Sequence, residues 1–215
     1  GNAAACLVAP EIFKKLNINT SELYCKVDAS FPNHHPDPTV DKNLEDLITI
    51  VKNGKYNFGV GFDGDADRVV VIDELGNIIR SDILMSIFLE GIMNEGDTII
   101  YDVKCSKALE DEIKRLKGNP VIWKTGHSLI KEKMRLESSK FGGEMSGHIF
   151  FADDFYGFDD AIYVSLRLAQ LLSNSKQKLS SIVDKIPKYY STPELRFECI
   201  DDNEKFIVLF KYSKS

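Results

Sequence analysis

Three aspartates stand at alternate positions in GVGFDGDADRVVVID, a stretch that begins at Gly59. Asp63, Asp65 and Asp67 cannot share one face of a helix, and on a regular strand all three would point the same way and repel one another. A loop that wraps a cation resolves this conflict, because carboxylate oxygens are the ligands that Mg²⁺ and Ca²⁺ prefer. The spacing predicts a metal site, and a solvated acidic turn remains the alternative.

Arg68 follows the last aspartate directly and favours the metal site. An arginine beside metal-bound carboxylates is useful where a phosphate bridges metal and guanidinium, since arginine binds phosphate oxygens bidentately. An EF-hand would also place acids at its positions 1, 3 and 5, with Glu74 at position 12. That alternative fails because Arg68 occupies the position that requires glycine, and because the flanking segments are strand-like.

Two lysines and a histidine follow predicted strands, at the edge where open α/β sheets usually bind ligands. Lys104 lies in DVKCSK, and Lys124 and His127 lie in WKTGHS, next to the start of a predicted helix. Helix N-termini favour anions through their free amides and the helix dipole. Taken alone, a surface lysine and a structural histidine are the commoner explanations.

A glycine-rich segment, GGEMSGH, carries Glu144, Ser146 and His148. These side chains form a donor and acceptor set suited to sugar hydroxyls. Ordinary turn chemistry is the alternative, because glycines are frequent in turns. The pair His34 and His35 is flanked by prolines in FPNHHPDPT, which favours a rigid loop over a second metal site.

The elements that must position these residues alternate between strand and helix along the chain. From residue 56 onward, strand-like runs alternate with helical apolar spacing, which is typical of α/β domains with mixed, largely parallel sheets covered by helices. The pattern predicts strands at 56–62, 97–103 and 119–125, a hairpin at 68–80, helices at 81–94, 106–118, 128–140 and 159–174, a glycine-rich loop leading into a strand at 141–151, and a linker entering a new strand at 178–199.

The N-terminal part predicts a helix at 3–16, in which Pro10 fits best near a first turn, then a strand at 22–29 and a helix at 41–54. Helix ends are expected at particular residues. Ser81 is the expected N-cap of the helix that it opens, and Gly54 and Gly118 are the expected C-terminal stops.

The composition excludes several classes of protein. The chain has 215 residues with 43% hydrophobic and 28% charged, which is typical of a globular protein. A formal net charge of −6 argues against broad nucleic-acid binding. The four cysteines are far apart and no apolar run is long enough to span a bilayer, so a reduced, cytoplasmic protein with no membrane partner is expected. The opening Gly1 suggests a piece of a longer protein.

Five segments occur in the order seen in one family: FPNHHPDPT, GFDGDADR, DVKC, KTGHSLIKEKM and FGGEMSGHIFF. Together they resemble the α-D-phosphohexomutases, most closely the bacterial phosphomannomutase/phosphoglucomutase group. The resemblance spans nearly the whole chain. It implies that residues 1–77 are domain 2, residues 78–189 are domain 3, and residues 190–215 are a linker and the start of domain 4, out of four domains around a central cleft.

The resemblance also implies a function and roles for the residues. Family members interconvert hexose 1-phosphates and 6-phosphates through a hexose 1,6-bisphosphate, so hexose phosphates are the expected partners. The implied roles are metal ligands for Asp63, Asp65 and Asp67, catalytic groups for Arg68, Lys104 and His127, and substrate binding for Lys124, Glu144, Ser146 and His148.

The chain departs from the family pattern in two places. The family carries its phosphate on a serine in a segment like TASHNP in domain 1, and completes the Mg²⁺ site with that phosphoserine. Neither this segment nor the phosphate-binding loop of domain 4 is present in the printed sequence. The chain alone is therefore expected to be inactive without domains 1 and 4.

Three other functions remain as alternatives. A phosphoglucosamine mutase is ranked lower because its sugar loop usually differs at the residue after the glutamate. A non-catalytic phosphosugar- or metal-binding module is a second. An aspartate-nucleophile phosphatase is a third, and it would require Thr or Val where Asp67 stands.

Overall fold

Two β-sheets share one hydrophobic core in the computed structural model, which describes residues 1–190. The predicted start of domain 4, the strand expected at the end of 178–199, and Cys199 lie outside the described residues. The first sheet is an antiparallel meander of β1 (Phe58–Phe62), β2 (Val69–Asp73) and β3 (Ile78–Ile79). The predicted hairpin at 68–80 is therefore present as β2 and β3.

The second sheet has the strand order β5-β4-β6-β7. β4 pairs in parallel with both β5 and β6, and β6 pairs antiparallel with β7. The predicted α/β class is confirmed, and its parallel part is confined to this sheet. Its strands are β4 (Thr98–Asp102), β5 (Asn119–Trp123), β6 (Phe141–Gly143) and β7 (Ile149–Phe151).

Helices cover the sheets and follow the predicted positions from residue 81 to residue 174. Buried side chains of β2, β4, β6 and β7 pack with those of α3 and α6 in the largest core cluster. In the described part of the chain, no helix is long and apolar enough to cross a membrane. The helices are α1 (Ala5–Lys15), α2 (Glu45–Gly54), α3 (Ser81–Ile92), α4 (Lys107–Arg115), α5 (His127–Leu136), α6 (Ala161–Asn174) and α7 (Leu179–Val183), with a 3₁₀ turn at Asp41–Leu44.

The strand predicted at 22–29 is wrong. This segment is irregular, and Tyr24 has a left-handed φ of +57°, which interrupts an extended conformation. Asn2 holds the segment instead. Its backbone N–H donates to the Tyr24 carbonyl at 2.5 Å, and its side-chain amide donates to the Lys26 carbonyl at 2.7 Å.

Helix ends are the second group of differences. Pro10 lies in the interior of α1 rather than in its first turn. Ser81 is the first helical residue of α3, and the N-cap is Arg80, which makes no side-chain capping hydrogen bond. The left-handed residues after α2 and α4 are Lys55, with φ +57°, and Lys117, with φ +60°. The predicted helix stops, Gly54 and Gly118, therefore each lie one position away from the residue that has the left-handed conformation.

Two further predictions need correction. Phe141 to Gly143, predicted as part of a loop, form strand β6, which pairs with β4. A Cβ at Gly142 would lie 2.6 Å from the Ile100 carbonyl oxygen of β4. Close pairing of the two strands therefore requires glycine there. Residues 179–183 of the predicted linker form α7, whose Leu179 is buried in the core.

A mostly buried ion pair holds α6 against the second sheet. Arg167 donates to both carboxylate oxygens of Asp153, at 3.1 and 2.8 Å, and its guanidinium lies 4.6 Å from the centre of the Phe151 ring. The side chains of the pair are 16% and 15% exposed. Burial alone would raise the pKa of Asp153, and the hydrogen bonds from Arg167 outweigh it, so the pKa lies below its ordinary value.

Arg167→Met should lower the free energy of unfolding by about 2 kcal/mol, because it leaves the Asp153 carboxylate largely buried without its partner. Urea denaturation measures this loss. The loss should be fully present above pH about 4, the ordinary aspartate pKa, and should shrink as the pH falls through the lower pKa of folded Asp153.

The matched control is Arg80→Met. Arg80 pairs with Asp41 at 2.7 Å, but these side chains are 39% and 59% exposed, so the change should cost less than about 1 kcal/mol. Equal losses in the two variants would show that the Arg167 pair has no special role.

Candidate active site

The three aspartates lie in the turn between β1 and β2, as their spacing predicts. One carboxylate oxygen from each of Asp63, Asp65 and Asp67 lies within 4.8 Å of the others, close enough to hold one metal ion. Asp63 is buried at 2% exposure, and Asp65 is exposed to solvent. The acidic cluster is therefore buried at Asp63 and exposed to solvent at Asp65.

Asp63 closes this turn with both of its carboxylate oxygens. Oδ1 accepts the backbone N–H groups of Asp67 and Arg68, each at 3.1 Å, and Oδ2 accepts Nε of Arg68 at 2.7 Å. Burial alone would raise the pKa of Asp63, but the backbone and side-chain hydrogen bonds from Arg68 outweigh it and lower the pKa. Asp63 therefore stays ionised and fixes the plane of the guanidinium.

Asp67 has the opposite electrostatic environment. Burial raises its pKa and the neighbouring Asp63 carboxylate adds to this effect, although His148 nearby opposes it. A bound cation would relieve this carboxylate repulsion. Crowded carboxylates of this kind are what the sequence predicts for a metal site.

Ala66 takes a left-handed φ of +64° at the tip of the turn. This conformation costs a residue with a Cβ about 1 kcal/mol or more. Ala66 is held by packing with Ala5, Ala9 and Ile162, and its carbonyl accepts the N–H of Ala161 at 3.0 Å. The N-terminal parts of α1 and α6 therefore support residues 63–68, called here the metal loop after its predicted role.

The metal loop is joined through its backbone to residues 144–148 between β6 and β7, called here the sugar loop after its predicted role. Arg68 and His148 form an antiparallel bridge, and Val69 N–H donates to the Gly147 carbonyl at 3.2 Å. Gly147 has a φ of +110°, and a Cβ there would lie 2.9 Å from the Val69 carbonyl oxygen. The fold thus brings together two segments that are about 80 positions apart in the sequence.

Glu144, Ser146 and His148 form a connected group in the sugar loop. His148 Nδ1 lies 3.0 Å from Glu144 Oε2 and 3.1 Å from the Ser146 hydroxyl. The other Glu144 oxygen accepts the Gly126 N–H at 2.5 Å, which ties the sugar loop to the start of α5. Burial alone would raise the pKa of Glu144, but hydrogen bonds from His148 and Gly126 lower it, so this buried residue is ionised.

His127 joins the same group from the first residue of α5. Its ring stacks on His148 with centres 5.2 Å apart, and its Nδ1 lies 2.9 Å from Asp159 Oδ2. Lys131 donates to the other Asp159 oxygen at 2.8 Å. His148 Nε2 faces Asp67 Oδ2 at 3.3 Å, so one cluster spans both loops.

Lys104 and Lys124 extend from the same edge of the second sheet. Lys104 lies in the β4–α4 loop and Lys124 in the β5–α5 turn, and both are exposed. Their catalytic and substrate-binding roles stay predictions.

Sequence reasoning missed two carboxylates that organise this edge. Asp102, at the end of β4, is 1% exposed and accepts from the Cys105 thiol, the Thr125 hydroxyl and the Met145 N–H, at 3.1 to 3.2 Å. Asp102 ends the predicted strand, and that position was the available signal. Asp159 lies in the acidic run DDFYGFDD, which carries no specific signal.

A third carboxylate that sequence reasoning missed lies beside Arg68. Asp37, in the proline-rich loop, lies 3.7 Å from a terminal nitrogen of Arg68. The neighbouring His34 and His35 lie outside the groups of metal-binding side chains found among residues 1–190.

Comparison with known proteins identifies the fold as two successive α/β/α domains of sugar phosphomutases. Residues 1–76 match the family model for domain II of phosphoglucomutase/phosphomannomutase, and residues 80–190 match that for domain III. The chain therefore belongs to the phosphoglucomutase/phosphomannomutase family, as the five sequence segments predict. The exact domain bounds expected from the sequence stay predictions.

The curated proteins that the chain resembles include bacterial phosphomutases. The chain is 44% identical over 210 residues to the phosphomannomutase/phosphoglucomutase of Pseudomonas putida, covering 97% of the chain and 45% of that protein. It is 43% identical over 197 residues to a phosphoglucomutase of Neisseria gonorrhoeae, covering 91% and 43%. The chain thus spans somewhat less than half the length of these relatives.

A solved structure agrees. The crystal structure of a phosphoglucomutase/phosphomannomutase family protein from Burkholderia thailandensis superposes with a TM-score of 0.84 at 41% identity. The superposed region is 89% of this chain and 42% of the Burkholderia chain.

Gly147→Ala should separate the two loops, because its Cβ would meet the Val69 backbone and its φ is positive. We expect a loss of about 2 kcal/mol in stability and faster hydrogen exchange at the Val69 amide. Gly91→Ala is the matched control. Gly91 lies in α3 with no atom near its missing Cβ, so alanine there should be neutral or slightly stabilising. Unchanged exchange at Val69 in Gly147→Ala would contradict the proposed coupling.

Proposed function

We propose that this chain is the metal- and sugar-binding central part of a Mg²⁺-dependent phosphomannomutase/phosphoglucomutase. Such an enzyme interconverts hexose 1-phosphate and hexose 6-phosphate through a hexose 1,6-bisphosphate. The observation that carries the proposal is the backbone pairing of Arg68 and Val69 with His148 and Gly147. This pairing places Arg68, which is suited to binding phosphate, beside the loop that carries the predicted sugar-binding residues.

The acidic cluster suits a hard divalent cation. Octahedral Mg²⁺ binds oxygens at about 2.1 Å, so its ligands lie about 3 to 4.2 Å apart. The oxygens of Asp63, Asp65 and Asp67 fall within 4.8 Å of one another, which fits this range after small side-chain adjustment. When bound, Mg²⁺ would neutralise charge on a transferring phosphoryl group.

Arg68 would bind the phosphoryl oxygens beside this cluster. Its Nε is held by Asp63, and Asp37 lies near a terminal nitrogen, so the guanidinium is oriented before any ligand arrives. A pre-oriented arginine loses little entropy on binding phosphate. Lys104 and Lys124, at the same sheet edge, would add positive charge for a second phosphate.

Glu144, Ser146 and His148 would hold sugar hydroxyls. Glu144 is ionised and already accepts one backbone N–H, so its remaining acceptor capacity can take a hydroxyl donor. His127, which stacks on His148, would hydrogen-bond sugar or phosphate oxygens beside this group. Discrimination against non-sugar phosphates follows, because unpaired polar groups in this loop would disfavour them.

The phosphate-carrying serine would come from a part of the enzyme that these 215 residues do not include. Turnover requires that serine, because the family's phosphate moves between it and the sugar. We therefore expect no turnover by this chain with glucose 1-phosphate, glucose 1,6-bisphosphate and Mg²⁺ in a coupled assay. Robust turnover would contradict the proposal.

Hexose phosphates should still bind the sugar loop. Adding glucose 6-phosphate or mannose 6-phosphate should shift the backbone amide NMR signals of residues 144–148, with millimolar affinity. Glu144→Gln should weaken this binding at least tenfold while the rest of the spectrum is retained. Glu95→Gln is the control, since Glu95 is an exposed partner of Lys117. Glucosamine 6-phosphate binding more tightly than both hexose phosphates would instead favour the phosphoglucosamine mutase.

Mg²⁺ binding to the acidic cluster is tested with Mn²⁺ as a paramagnetic probe. Mn²⁺ should broaden the amide signals of residues 63–68, and excess Mg²⁺ should reverse the effect. Asp65→Asn should remove most of the broadening because it deletes a ligand without disturbing the buried Asp63. Asp154→Asn, a change at an exposed aspartate, should leave it intact. Equal broadening of these amide signals in Asp65→Asn and in the parent chain would contradict the assignment of the metal site.

A further inference from the structure

A second cluster of metal-binding groups lies beside the acidic one and differs from it in chemistry. It consists of two imidazoles and two carboxylates, and their donor atoms all lie within 4.8 Å of one another. Three of these donor separations are 2.9, 3.3 and 3.9 Å. The members, called here the histidine quartet, are Asp67, His127, His148 and Asp159.

These separations fit a tetrahedral ion. Zn²⁺ binds histidine nitrogen and carboxylate oxygen at about 2.0 to 2.2 Å, so the ligands of a tetrahedral zinc lie about 3.4 Å apart. The three distances lie within about 0.5 Å of this value. A set of two nitrogens and two oxygens suits zinc and its transition-metal neighbours, whereas Mg²⁺ prefers oxygen alone.

The ligand atoms are also held in position by outer contacts. His148 Nδ1 is bonded to Glu144, which leaves Nε2 to face Asp67 and Asp159. Asp159 uses Oδ1 to accept Lys131 and turns Oδ2 to the histidines. A carboxylate on the far nitrogen of a metal-binding histidine is typical of zinc sites, because it fixes the tautomer.

The local charge favours a cation. The carboxylates of Asp67, Asp159 and Glu144 face the two imidazoles, and the nearby positive groups are Lys131 and Arg68. Lys131 lies 3.4 Å from His127 Nδ1, so an entering metal has to displace that contact. Its bond to Asp159 can remain, because this bond uses the oxygen that turns away from the quartet.

We propose that the histidine quartet is a binding site for Zn²⁺ or a similar transition-metal ion. Asp67 belongs to both clusters, so an ion in the quartet competes with the hard cation for this carboxylate. It also occupies His127 and His148. If the proposed function holds, zinc is therefore an inhibitor that binds outside the acidic cluster and shares only the ligand Asp67 with it.

Binding is measured on the untagged 215-residue chain, without reference to catalysis. Co²⁺ should bind one per chain and give the intense visible absorption of a tetrahedral ion, and Zn²⁺ should displace it at micromolar concentration. The experiment uses a Cys25→Ser background, so that the exposed thiol of Cys25 does not contribute. Absence of the tetrahedral spectrum, or zinc binding weaker than millimolar, would overturn the proposal.

Variants locate the ion. His127→Gln and Asp159→Asn should each weaken Zn²⁺ binding at least tenfold. His127 is 47% exposed, so its replacement leaves the fold intact and keeps the test valid should Asp159→Asn unfold. Asp65→Asn, which alters only the acidic cluster, and His34→Gln should change the affinity less than about threefold. Loss of binding in Asp65→Asn together with retention in His127→Gln would place zinc in the acidic cluster and refute the proposal.

Discussion

The contact on which the site depends is a short antiparallel backbone pairing between the start of β2 and the sugar loop. Val69 follows the acidic turn, and its N–H donates to Gly147 of the sugar loop. Backbone hydrogen bonds of this kind fix distance and direction together, since the bonded N–H and C=O groups do not depend on a side-chain rotamer. Side-chain contacts between His148 and Asp67 are possible only because this pairing is in place.

Much of the fold follows from hydrophobic periodicity. The strands at β1, β2, β4 and β5 and the helices from α2 to α6 occur where apolar spacing predicts them. Their positions are encoded locally, because each element has to present an apolar face to the same core. The failures are also local. Tyr24, Lys55 and Lys117 adopt left-handed conformations, for which these residue types have no preference, so the positions of these turns could not be predicted.

The site was predictable in part for a related reason. Asp63, Asp65, Asp67 and Arg68 lie within six consecutive positions, so their clustering in one turn can be read from the sequence. Asp159 could not be found, because its role depends on the backbone bringing it against His127 from 32 positions away. Asp102 has a similar character: its three donors come from separate loops, and only the closed sheet assembles them.

Asp102 has a consequence for the way this scaffold can change. One carboxylate ties the β4–α4 loop, the β5–α5 turn and the sugar loop to the end of a single strand. An insertion or deletion in any of the three loops would displace a donor and leave the buried Asp102 carboxylate with fewer hydrogen bonds. Under the proposed function, new sugar specificity is therefore more accessible by exchanging side chains within loops of fixed length than by grafting loops from other proteins. Any loop that is transplanted has to bring its own donor to Asp102.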